Sequence, residues 1–164
     1  MHREGHLGIG LLLYSPISYL LLISDAQMGW GLGLAAVCFW GFAPDLDLKL
    51  PIKHRGPTHT IWAAIGTGLI TAIVAIGFLI LGVPDTQSIS IFVAWIVLAF
   101  FIGALGVVGH LLGDAITPMM IRPLRPYSDK KCGLNLTKAK NETANQALLV
   151  TGAGFLTGSI FLSI

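Results

Sequence analysis

The apolar residues of this chain fall in long unbroken runs separated by polar segments, not in the spacing of a surface helix or the alternation of a strand. The runs cover residues 7–23, 29–44, 57–82, 89–109 and 146–164. Each approaches the roughly 20 apolar residues that a helix needs to cross about 30 Å of hydrocarbon. A helix that is apolar all round has no face to offer water, so the pattern predicts an all-α integral membrane bundle of about five transmembrane helices. Residues 45–56 and 114–145 are the polar loops of one membrane face, and residues 1–164 form a single transmembrane domain. Composition agrees: 54% of the 164 residues are hydrophobic and 11% are charged, too apolar for an ordinary soluble domain. Arg3 before the first run resembles a secretory leader, but no small-x-small cleavage site follows before Asp25, so the run is read as retained.

Charge orients the bundle. Arg3, Lys49, Lys53, Arg55, Arg122, Arg125, Lys130, Lys131, Lys138 and Lys140 all fall on one side of the membrane, and the opposite loops, around Asp25 and Asp85, carry no basic residue. Basic residues collect in cytoplasmic loops, which predicts a multi-pass protein of the cell membrane with its N-terminus in the cytoplasm and its C-terminus outside. The same division puts His2, His6, His54, His59 and His110 on the basic side, with Glu4, Asp45, Asp47, Asp114, Asp129 and Glu142. The sequons at Asn135 and Asn141 then face the cytoplasm, away from glycosylating enzymes. A net charge of +2, with no aromatic-interleaved basic segment, gives no reason to expect nucleic acid. Cys38 lies in an apolar run and Cys132 in a loop, so neither a disulfide nor a cysteine-type zinc site is expected.

The one-sided polar residues form patterns suited to metal binding. His110 and Asp114 share one helix face at i, i+4 and can hold an ion between them. Asp45 and Asp47 follow Pro44, which ends the second helix and leaves the carboxylates free to aim at an ion or to support a ligating histidine. In His54-Arg55-Gly56-Pro57-Thr58-His59, Gly56 and Pro57 open the third helix, and its free N–H groups with Arg55 are expected to form an anion pocket facing His59. His6 adds an imidazole at the same depth. Ionisable groups at membrane depth are costly and functional by default, which weighs against a purely packing role. The expected metal ligands are therefore His6, Asp45, Asp47, His59, His110 and Asp114, enough for one or two divalent ions, with zinc or manganese favoured and iron also suited.

These residues resemble the YdjM-type membrane proteins, described as LexA-binding, inner-membrane-associated, metal-dependent hydrolases. The shared elements are Gly5-His6, Pro44-Asp45-Leu46-Asp47, His54-Arg55-Gly56-Pro57-Thr58-His59, and Gly109-His110-Leu111-Leu112-Gly113-Asp114 running on to Thr117-Pro118. The resemblance covers residues 5 to about 126 and implies a multi-span metal-dependent hydrolase; its HxxxD pair is similar to the metal-binding pairs of zinc-dependent phospholipases C. Two positions depart from the pattern: Leu48 stands where a histidine is expected, and Met119-Met120-Ile121 lacks the usual glycine.

The function expected is hydrolysis of a lipid-like phosphoester at the cytoplasmic membrane face. Arg55, Thr58, Arg122 and Arg125 would bind substrate, and His54 and Arg55 would serve catalysis. The alternatives are a metal-ion transporter or channel, whose site would lie near the midplane with polar routes to both faces, and a non-catalytic scaffold for a soluble partner. Besides membrane lipids, a second copy of the chain is an open partner, because Gly29-x-Gly31-x-Gly33 and Gly152-x-Gly154 allow close packing within or between chains.

Overall fold

The computed structural model describes residues 1–49, 51, 54–81 and 88–164; Lys53, Asp85 and the last residue of the third apolar run lie outside them. Five α-helices make the bundle: α1 (Arg3–Ile23), α2 (Gln27–Phe42), α3 (Ile61–Ile80), α4 (Ile89–Ala115) and α5 (Glu142–Phe161). A 3-10 segment, Ala43–Lys49, continues α2, and a second, Pro57–His59, precedes α3. Among the described residues the only bridge outside the helices is the antiparallel pair Ile121 and Cys132 in the α4–α5 loop.

Side-chain caps set the starts of three helices. Thr60, Ser88 and Asn141 each accept a hydrogen bond from the backbone N–H three residues on, opening α3, α4 and α5. The cap on Thr60 moves the start of α3 past the expected Pro57, which opens the 3-10 turn instead. Two of the N–H groups expected to face an anion at this helix end are already bonded. Ile61 N–H donates to Pro123 O and Ala63 N–H to Thr60 Oγ1, so the chain itself takes these donors. At the same end of the bundle, α4 runs six residues beyond the expected boundary and carries His110 and Asp114 within its last turns.

The helices alternate in direction. Gly10 meets Gly109 and His6 meets Gly113, so α1 and α4 are antiparallel; Gly5 meets Asn145, Gly8 meets Gly152 and Ser18 meets Ser159, so α1 and α5 are parallel. At Gly8 and Gly152 the backbones are in contact, and a Cβ on either would strike the other helix. Four segments, Arg3–Ile23, Gln27–Lys49, Ile61–Ile80 and Ile89–Ala115, are long and apolar enough to cross a membrane. α5 is more polar and is not one of these four, but it runs beside α1 in the same sense. We therefore expect a reporter near Lys131 and one after Ile164 to lie on opposite sides of the membrane. Reporters on the same side would remove the fifth crossing.

Burial is inverted relative to a soluble bundle. Leu69, Ile73, Phe101 and Val150 are exposed, whereas His6, His59, His110, Asp47 and Asp114 are buried. Far from those residues, Tyr14, Leu21, Val37 and Ile102 form an apolar core. Beside it Trp30 Nε1 donates to Ser18 Oγ at 2.7 Å and Ser159 Oγ donates to the same oxygen at 2.9 Å, tying α1, α2 and α5 together. Gly29, Gly33 and Gly152 pack within the chain, against Trp95, Tyr14 and Gly8, while a Cβ on Gly31 or Gly154 would meet none of the described residues outside its own helix turn. Cys38 and Cys132 are both free.

Candidate metal centre

Five helix ends converge on one end of the bundle, and each of the connecting turns has a local reason for its path. α4 presents His110 and Asp114 on one face, and the 3-10 segment after α2 carries Asp45 and Asp47. The short turn before α3 carries Thr58 and His59, and α1 supplies His6. Arg55, with φ of 58°, takes a left-handed backbone conformation unusual for a side-chain-bearing residue. That turn brings its guanidinium to Asp114 Oδ1 at 2.8 Å and to the Met119 carbonyl.

Hydrogen bonds fix which nitrogen of each central histidine faces inward. His110 Nδ1 lies 2.8 Å from the Gly41 carbonyl, which can only accept, so Nδ1 bears the hydrogen and Nε2 of the neutral ring keeps its lone pair. Thr58 Oγ1 donates to Asp47 Oδ2 at 2.7 Å, so its oxygen is left to accept from His59 Nδ1 at 2.9 Å. His59 Nε2 is then also a bare lone pair. The two Nε2 atoms face each other at 3.2 Å with no hydrogen of their own to share.

Two carboxylates complete the convergence. Asp45 Oδ1 lies 3.7 Å from His59 Nε2 and 3.5 Å from His110 Nε2; Asp114 Oδ2 lies 3.4 Å and 3.9 Å from the same atoms. Tetrahedral coordination with bonds of 2.0–2.1 Å places neighbouring donors about 3.3 Å apart, close to these separations. Asp114 Oδ2 is buried and has no hydrogen-bond partner among the described residues. Four lone-pair donors from three chain segments, one of them orphaned, fit a divalent cation.

The remaining residues surround this set. Asp47 Oδ1 pairs with His54 Nδ1 at 2.8 Å, and Asp47 Oδ2 lies 3.4 Å from His59 Nδ1. Asp47 thus faces the outer nitrogens of the imidazoles, in the position of a carboxylate that orients a ligating histidine. His6 stacks on His110 with centroids 3.8 Å apart, its Nε2 lies 3.7 Å from Asp114 Oδ1, and neither ring nitrogen has a hydrogen-bond partner among the described residues. Gly113 makes room for that ring, since a Cβ there would strike it. The Met1 ammonium also reaches Asp114 Oδ1, at 2.9 Å.

Arg122 and Arg125 do not join the cluster. Both pair with the exposed Asp129, at 3.5 Å and 2.5 Å, and the hydrogen bond from Arg125 holds the Asp129 carboxyl below its ordinary range. Sequence reasoning also missed the Gly41 and Met119 carbonyls, for which backbone atoms leave no signature. Thr58, expected to bind substrate, links Asp47 to His59.

A helical membrane bundle with a buried histidine–aspartate centre at one end is the class that fold and site define. A family model described as YdjM inner membrane protein matches residues 1–163, and the chain belongs to that family. No curated protein and no solved structure matches significantly.

Proposed function

We propose that this protein is a metal-dependent phosphoesterase of the inner membrane, acting on a lipid-like substrate at the cytoplasmic face. The observation that carries the proposal is the meeting of His59 Nε2, His110 Nε2, Asp45 Oδ1 and Asp114 Oδ2 as hydrogen-free donors. They would hold one ion. A second beside Asp114 Oδ1 would meet the Arg55 guanidinium already there. When bound, such an ion lowers the pKa of a coordinated water and polarises a phosphoryl oxygen.

The chain's own groups then have separate tasks. Asp47 holds His54 through Nδ1, leaving Nε2 free for proton transfer, and the His54 side chain is 36% exposed. Asp45, 25% exposed, also lies toward the open side, so the centre is reached past these two residues. Arg55 keeps a buried Nε–H without a partner among the described residues, a donor for a phosphoryl oxygen. Leu46, Leu48, Met119 and Met120 are exposed beside these residues in sequence, which suits a substrate with an apolar part. His6 braces His110 by stacking. A transport route is disfavoured because the polar groups of the far half close on one another through Ser18, Trp30 and Ser159.

Purified protein loaded with zinc or manganese should release phosphate from a long-chain phosphatidate, lose that activity to a chelator and regain it with metal. Metal-loaded protein inert toward a panel of phosphomonoesters and diesters would sink the phosphoesterase assignment.

A further inference from the structure

α2 and α3 both pack on α4 and, among the described residues, have few contacts with each other, which leaves a gap floored by α4. One hydrogen bond crosses the gap, from Trp40 Nε1 to Thr71 Oγ1 at 2.8 Å. Beyond it the gap widens into a crevice of about 140 Å³, where the small side chains of Ala36, Ala75 and Ala99 leave space. A cavity of about 150 Å³ accepts a benzene-sized apolar guest. The rim residues Leu32 and Phe78 are 43% and 39% exposed, so the crevice opens onto hydrocarbon.

Depth selects the occupant. Ile102, at the near end of the crevice, lies about 12 Å along α4 from His110, and Trp95, at the far end, about 22 Å. One leaflet of hydrocarbon is about 15 Å thick, so the end of an ordinary acyl chain whose headgroup sits at the centre arrives at this level. A short chain stops before it.

We infer that the crevice seats the terminal segment of one acyl chain of the phospholipid substrate, with Trp40 lying between headgroup and chain end. The inference rests on the phosphoesterase reading for the identity of the lipid, but its test needs no turnover. The full chain in nanodiscs is irradiated with palmitoyl phosphatidate carrying a diazirine at the chain end. Crosslinks should map to residues 71–79 and 95–102, be competed by unlabelled palmitoyl phosphatidate, and be absent with an octanoyl probe. Ala75→Phe and Ala99→Phe, which fill the space, should each cut the yield about tenfold, as exclusion of roughly two methylenes requires. Labels on the α1–α5 groove around Phe155, labels spread over the lipid-facing surface, or filled variants that label like the wild type would each overturn it. Specific labelling without hydrolysis would keep the seat and remove the reaction; hydrolysis without specific labelling would do the reverse.

Discussion

Replacing His110 with alanine or Asp114 with asparagine is expected to strip the metal from the protein and abolish hydrolysis while leaving the chain in the membrane. His110 Nε2 and Asp114 Oδ2 are two of the four converging donors, and the others sit on separate segments that cannot close over the gap. Insertion depends instead on the apolar length of the spans, which neither change alters. The two variants fail for different side reasons: Asp114→Asn leaves the Arg55 guanidinium without its carboxylate partner, whereas His110→Ala leaves a void under His6. Agreement between them therefore isolates the lost ligand. Metal per chain after purification is the readout, with Asp25→Asn, at the opposite end of the bundle, as the unaffected control. Full occupancy in both site variants would move the metal elsewhere.

A second large effect is expected at Asp47, of a different kind. Asp47 touches His54 Nδ1, His59 Nδ1 and Thr58 Oγ1, all on the side away from the donor set. Groups that orient metal ligands from behind typically contribute about 10–100-fold to metal affinity or activity. Asp47→Asn should therefore weaken metal binding by about 10–100-fold, yet still reach one ion per chain at saturating metal. Turnover at saturation should remain low, because an amide no longer holds His54 as a carboxylate does. The absorption spectrum of the cobalt-substituted protein separates this role from ligation: an unchanged band pattern fits an orienting residue, and an altered one would make Asp47 a ligand.

The spans were legible in the sequence because bilayer thickness dictates apolar length, and the one-sided histidines because the basic residues sort the loops. His110 and Asp114 were legible as a pair because helical spacing alone puts them together. Depth along the helix was not. α4 continues to Ala115 because packing on α1, with His6 lying against Gly113, keeps polar residues helical where hydropathy has already fallen. That Ile61 and Ala63 N–H at the start of α3 are already bonded was not legible either, because their acceptors are a cap, Thr60, and a carbonyl, Pro123, brought in from a distant loop. Nor could spacing separate Asp45 from Asp47. Two residues apart on a 3-10 turn, one faces the inner nitrogens of the histidines and the other their outer nitrogens. The placement of Arg55 on Asp114 likewise depends on a left-handed backbone turn that composition does not announce.

The central claim is a single ion held by two imidazoles and two carboxylates. X-ray absorption at the metal edge of the loaded protein, with metal per chain measured on the same sample, tests it most directly. One ion per chain is expected, in a shell of nitrogen and oxygen donors at about 2.0–2.2 Å, with imidazole scattering from two histidines. A sulfur ligand, a second metal at short range, or a shell without imidazole would contradict it.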